Sequence, residues 1–321
     1  MYERILVPLD GSSQGEIVLP YVYQMATRFR TEILLVSVAE PLVPQPDQLH
    51  RSYLSQLTEQ MQKELREWEP NVQLGIQSKV LLGEPADEIL KCAEQHKASI
   101  IVMASRGRSS RGPWILGNVA AKVLRATDKP IMLVRSPAKS DAVRQKRLVH
   151  KVLVPLDGSP IAEQVLPHAE AVARTLGSDL LLFHVFEPMR KYPEGVGVGV
   201  VYRALPDEVV NTENDRRKQV GLSYLNEISK KLKAQETPVS MEVARGSPAD
   251  QILDYAEAHE MVWLSIPLNL STSRGNDSLN RPACEIIRTP NAAITKKVMK
   301  IAIKMPNTLL IFFRTKKFTN G

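Results

Sequence analysis

Apolar residues along the first 136 positions fall into two alternating periods. Short runs such as "RILVPL", "SIIVMAS" and "PIMLV" are almost continuously hydrophobic, and between them lie longer segments with helical spacing. The pattern predicts strand 3–9, helix 13–29, strand 32–39, a Pro-rich connection over 40–47, helix 53–67, strand 72–82, helix 85–95, strand 99–104, helix 113–126 and strand 130–135. Strands that are apolar on both sides need cover on both faces, so the alternation implies an open parallel sheet between two helix layers. Right-handed crossovers in such a sheet leave a crevice at the strand carboxyl ends, where ligands bind.

The pattern occurs twice. Residues 4–29, "RILVPLDGSSQGEIVLPYVYQMATRF", align without gaps with 151–176, "KVLVPLDGSPIAEQVLPHAEAVARTL", at an offset of 147. A later block, "LGEPADEILKCAEQH" at 82–96, matches "RGSPADQILDYAEAH" at 245–259 at an offset of 163, which leaves about 16 extra residues in copy two, most simply within Glu187–Pro206. A long amphipathic helix is predicted over 207–235. The organisation expected is a first domain over 1–136, a polar, basic linker over 137–149, a second domain over 150–295 that degenerates after about residue 260, and a tail over 296–321. Ile294 falls where Ile131 sits in copy one. The abrupt change after His259 suggests decay or an altered reading frame, and the coding DNA decides between them.

Charge changes little in this picture. The net charge is +7, yet seven basic and no acidic residues lie from Lys296 onward, leaving 35 basic against 35 acidic residues elsewhere. A neutral body with a basic tail argues against nucleic acid as a partner. Cys92 and Cys284 belong to no Cys/His cluster, which disfavours a disulfide scaffold or zinc site and fits a reducing cytoplasm. No apolar stretch approaches the roughly 20 residues of a membrane span, and Met1 runs into a strand rather than a signal sequence. The apolar stretch Ile301–Phe313, flanked by lysines, is compatible with a membrane-surface helix and too short to cross.

Two places at the strand ends carry chemistry. After strand one comes "VPLDGS", where Asp10 either caps the next helix or faces the crevice to meet a ribose hydroxyl or a phosphate-bound Mg²⁺. Between strand four and the last helix lies "MASRGRSSRGPWILGNVAAKVLR" at 103–125. Gly107, Gly112 and Gly117, interleaved with Arg106, Arg108, Arg111, Ser109 and Ser110, form a cationic loop opening onto a helix N-terminus. Glycines let backbone N–H groups approach phosphate oxygens, and the helix dipole favours the anion. The loop lacks the GxxxxGK[ST] pattern and is not a Walker loop.

Taken together, "ILVPLDGS", "LLVSV", "GEPADEIL" and "IIVMASRGRSSRGPWILGNVAAKVLR…DKPIMLV" resemble the universal stress protein family across residues 1–136, and 150–260 resemble a second, partial copy. The resemblance implies two tandem flavodoxin-like (Rossmann-like) domains, each an open parallel five-stranded sheet in the order 3-2-1-4-5. It also implies pairing through the fifth strands, within the chain or in a homodimer, and, in many members, ATP bound through Gly-x-x-Gly, nine residues, Gly-Ser/Thr. Here that pattern falls on Ala104 to Gly107 and then on Gly117-Asn118. The spacing is kept, while Ala104 replaces a glycine and Asn118 replaces a hydroxyl residue whose place its amide can take as a donor. By the same resemblance Pro8, Leu9 and Asp10 line the nucleoside side, Val38 flanks the adenine, and Met103, Arg108 and Val119 lie by the phosphate loop. Asp10 then touches Mg²⁺ only indirectly.

Copy two keeps Asp157 and Val185 but has Pro267, Leu270 and Asn280 at the glycine positions, so it is expected to lack the phosphate site. His96, His184 and His259 belong to no catalytic order, and Trp114 is read as a packing anchor. The function expected is a non-catalytic, ATP-binding regulator of stress physiology. Slow ATP hydrolysis and a nucleotide-free scaffold are the alternatives.

Overall fold

The computed structural model describes residues 2–39, 46–107, 116–134, 149–189, 205–233, 238–259, 262–265 and 309–312. Copy one folds as β1 (Arg4–Pro8), α1 (Ser13–Glu16), α2 (Leu19–Phe29), β2 (Glu32–Ala39), α3 (Pro46–Trp68), β3 (Ile76–Leu82), α4 (Pro85–Gln95), β4 (Ile100–Ala104), α5 (Asn118–Ala126) and β5 (Ile131–Val134). Copy two gives β6 (Lys151–Pro155), α6 (Pro160–Glu163), α7 (Leu166–Leu176), β7 (Asp179–Phe186), α8 (Asp207–Lys233), β8 (Val239–Arg245), α9 (Pro248–Ala258) and β9 (Val262–Ser265), and β10 (Leu309–Phe312) follows.

Copy one's strands are parallel and ordered β3-β2-β1-β4-β5. The order continues as β10-β9-β6-β7-β8, so the described strands form a ten-stranded sheet. β10 runs parallel to β9 and antiparallel to β5, Leu310 opposite Leu133 and Ile311 opposite Met132. The continuous apolar strands have the predicted cause. In β1, Ile5 and Val7 pack into one apolar cluster with Val22, Met25 and Leu54, while Leu6 packs on the opposite side with Ile89, Val123 and Leu124. Adjacent strand residues point to opposite faces, and a helix layer waits on each.

Beyond later starts for β3, at Ile76 rather than 72, and α5, at Asn118 rather than 113, three elements differ from expectation. The helix expected over 13–29 is two helices, because Pro20 in the first turn of α2 has no N–H to donate and its ring excludes a continuing helix. Copy two breaks in the same way between α6 and α7, with Pro167 in the first turn of α7. Next, α3 begins at Pro46 rather than 53, since a proline suits a first helical turn and its missing N–H costs nothing there. Finally, residues 309–312, read as tail and as part of a membrane-surface helix, are a strand. Leucine, isoleucine and phenylalanine suit a pleated strand, and β5 and β9 each offer an edge of unpaired backbone groups. Ile294, the linker residues 137–148 and the copy-two motif positions 267, 270 and 280 lie outside the described residues.

Candidate functional site

The end of β1 is tied down before the chain turns. Leu9 N–H donates to Val36 O at 2.8 Å, Gly11 takes a left-handed φ of 73°, and Ser12 begins α1. Ser12, not Asp10, is the N-cap: its Oγ accepts from Gly15 N–H at 3.1 Å. Asp10 stands behind it, its Oδ1 accepting from Ser12 N–H at 3.0 Å and from Ser12 Oγ at 2.5 Å. Of the two roles left open for Asp10, the structure therefore gives the direct cap to Ser12 and turns the carboxylate to the crevice.

Two glycines close on that carboxylate. A Cβ on Gly15 would lie 2.7 Å from Asp10 Oδ1, and one on Gly107 would lie 2.5 Å from Asp10 Oδ2. Gly107 thus has a steric reason to be glycine, separate from any phosphate. The loop that leaves β4 is closed by Gly117 N–H donating to Ser105 O at 2.9 Å, which brings its far end back beside β4. Gly117 is the N-cap of α5 and has no side chain with which to cap it. The first N–H groups of a helix lack intrahelical partners, and the start of α5 borders the crevice.

The result is a cleft of about 360 Å³, within the range that takes small molecules. Pro8 enters it from the end of β1, Leu9 and Asp10 from the turn that follows, Val38 from β2, Met103 and Ala104 from β4, Gly107 from the loop, and Gly117, Asn118 and Val119 from the start of α5. Arg108 lies outside the described residues. Sequence reasoning did not identify Gly15, Val36, His50, Pro85, Ile89 and Ala120 as lining residues, and it gave Arg106 only to the cationic loop. Gly15 left one trace, since copy two has Ala162 at that position. His50 left none, because its place depends on how α3 lies over β2.

Beneath the cleft, polar groups are satisfied in a chain. Ser37, buried at 1% exposure, donates its single hydroxyl proton to Leu9 O at 2.8 Å. His50 Nδ1 lies 2.7 Å from Ser37 Oγ and, the hydroxyl proton being spent on Leu9 O, is the donor there. Tyr53 donates to Glu16 Oε1 at 2.9 Å, and burial, that glutamate and Asp10 hold the phenol protonated well above its ordinary range. No group of three or more His, Cys, Asp or Glu able to hold a metal occurs among the described residues.

The model of the universal stress protein family matches residues 1–135 and 149–264. The chain belongs to the universal stress protein family. Its relatives include the universal stress proteins MJ0531 and MJ0577 of Methanocaldococcus jannaschii. MJ0531 is 28% identical over 149 residues, 43% of this chain and 85% of the relative; MJ0577 is 26% identical over 155 residues, 42% and 96%. A universal stress protein from Archaeoglobus fulgidus has the same fold over nearly the whole length, with a TM-score of 0.59 at 19% identity, covering 98% of this chain and 97% of that one. One from Pseudomonas aeruginosa, named as putative, gives 0.62 at 12%, covering 98% and 93%. Among the described residues no helix is long and apolar enough to cross a membrane.

Proposed function

We propose that the copy-one cleft binds an adenine nucleotide, ATP with its Mg²⁺, and that this universal stress protein is a non-catalytic cytoplasmic regulator whose state follows that nucleotide. The observation that carries the reading is the uncapped start of α5, folded back by the Gly117–Ser105 hydrogen bond to face Asp10 across Gly107. Unpaired N–H groups and the positive end of the helix dipole suit a polyphosphate. The N–H groups at the start of α5, the Asn118 amide and Arg106 would hold the phosphates. Asp10 would take a ribose hydroxyl or a water of the magnesium shell, and Val38 would lie along the base. The nucleotide supplies charge and shape at the end of β4 and the start of α5. Because α5 leads directly into β5 and β5 pairs with β10, occupancy is positioned to bias the contact between the two copies.

Binding without turnover is favoured by the engagement of the groups nearest the cleft. Asp10 Oδ1 already accepts twice from Ser12, and His50 Nδ1 is committed to Ser37. Calorimetric titration of the full chain with MgATP, repeated on Gly117→Arg and followed by product analysis, tests the reading. Saturable binding lost in the variant with no ADP formed supports it. ADP formation favours slow hydrolysis, and an absence of binding leaves a scaffold.

A further inference from the structure

The two copies contain one matching bridge that fixes how their long helices correspond. Tyr53 in α3 donates to Glu16 at 2.9 Å, and Tyr224 in α8 donates to Glu163 at 3.1 Å, the two glutamates being equivalent in the repeat. Tyr53 and Tyr224 therefore mark the same helix position. One residue beyond each lies a buried leucine, Leu54 and Leu225. Three residues before each stand His50 and Gly221.

Across from that position the strands also differ. Ser37 of β2 corresponds to His184 of β7. In copy one the serine bonds Leu9 O and the helix supplies the imidazole; in copy two the strand supplies the imidazole, with His184 Nδ1 lying 2.8 Å from Leu156 O. A Cβ on Gly221 would lie 2.7 Å from His184 Cδ2, so the helix residue has to be glycine for that ring to fit. Each copy thus keeps one imidazole and one bond to the carbonyl at the end of its first strand. Only in copy one does the ring stand on the helix, where it lines the cleft beside Val36 and Val38.

The sheet order tells which end of the cleft this is. β1 lies between β2 and β4, and α5 starts from the β4 side. From the β2 side, where His50 sits, to the β4 side is two strand spacings, about 10 Å. A ligand whose phosphates meet the start of α5 therefore lays its base toward His50. We propose that His50 is a base-contacting residue of the cleft, its ring orientation set by Ser37, and that it makes the site prefer a nucleotide over bare polyphosphate. This rests on the nucleotide-binding reading above. A flat ring against a base is the kind of contact whose loss weakens binding about tenfold.

The test uses the full chain, with a fluorescent ATP analogue displaced in turn by ATP and by inorganic tripolyphosphate. In wild type ATP displaces more effectively; in His50→Ala the ratio between the two competitors falls about tenfold. Because removing the ring could disturb α3, the double variant Ser37→His/His50→Gly rebuilds copy two's arrangement, retains the bond to Leu9 O, and is expected to show the same fall in ratio. A ratio unchanged in both variants, with wild-type binding intact, overturns the role of His50 alone. No binding of the analogue by wild type overturns the nucleotide reading and this inference with it.

Discussion

Gly15→Ala sets two magnitudes against each other. Replacing a helical glycine by alanine is worth up to about 1 kcal/mol from backbone entropy, and Gly15 has no left-handed φ to forbid the change. Against this, the new methyl would stand 2.7 Å from Asp10 Oδ1, the oxygen that accepts both bonds from Ser12. Hydrogen bonds to a charged group contribute about 1.5–3 kcal/mol each; Asp10 is only half-buried, and water replaces much of what is lost. Copy two shows where the side chain goes. With Ala162 at that position, Asp157 is exposed, and it still accepts from Ser159 N–H at 3.0 Å. The two effects then nearly cancel in stability, so the melting temperature is expected to move by less than about 4 °C. MgATP affinity should nevertheless fall, by roughly tenfold, because the carboxylate has left the cleft. Thermal unfolding and calorimetric titration of the same preparations check this. A fall in melting temperature above about 8 °C, or an affinity that does not change, would refute the argument that Gly15 serves to aim Asp10.

Arg30 ends α2 with a left-handed φ of 52°, where copy two has Gly177 at 67°; Arg30→Gly is expected to stabilise by about 0.5–1 kcal/mol in denaturant unfolding. Glu213 takes hydrogen bonds from both Arg216 and Arg217, which lower its carboxyl to about 2. The pairing is therefore complete above the ordinary carboxylate range and is lost as pH falls toward 2, and a carbon-detected NMR titration should show that midpoint moving up in Arg216→Ala/Arg217→Ala. Deleting residues 309–321 removes β10 and uncovers the facing edges of β5 and β9; light scattering should then report a higher mean mass than that of the full chain at the same concentration.

The strands and most helices could be read from the sequence because each is decided locally, by a run that is apolar on both faces or by a 3.6-residue stripe. Pro20 and Pro167 also announce the breaks ahead of α2 and α7, but the apolar periodicity runs straight through them and hides the interruption. Asp10 and the loop after β4 were legible for a topological reason, since in a parallel sheet the carboxyl end of every strand reaches the same edge, whereas Val38 and Met103 were named only through the family resemblance. His50 and Gly15 were not legible. Each owes its role to a neighbour far along the chain or to a carboxylate whose rotamer the sequence does not state. The strand at 309–312 was hidden differently, since four apolar residues among lysines read equally as strand or surface helix until β5 and β9 offer their edges.

The two copies separate what maintains this fold from what makes a site. Both retain the broken first helix, the hydroxyl buried beneath the first strand (Thr31 to Tyr2 O, Ser178 to Val149 O), the tyrosine–glutamate bridge and the strand order. What differs clusters at the carboxyl end: Gly15 against Ala162, Ser37 against His184, His50 against Gly221. None of these changes removes a core side chain. The Ser37/His184 and His50/Gly221 differences also compensate each other sterically, since the imidazole on the strand needs the glycine on the helix. The exchange keeps each copy's imidazole tied to the carbonyl at the end of its first strand, through Ser37 in copy one and directly in copy two, while placing the ring on a different element. Swapping the pair in copy one therefore separates the two demands: the carbonyl at Leu9 keeps its partner, and only a ligand registers that the ring has moved.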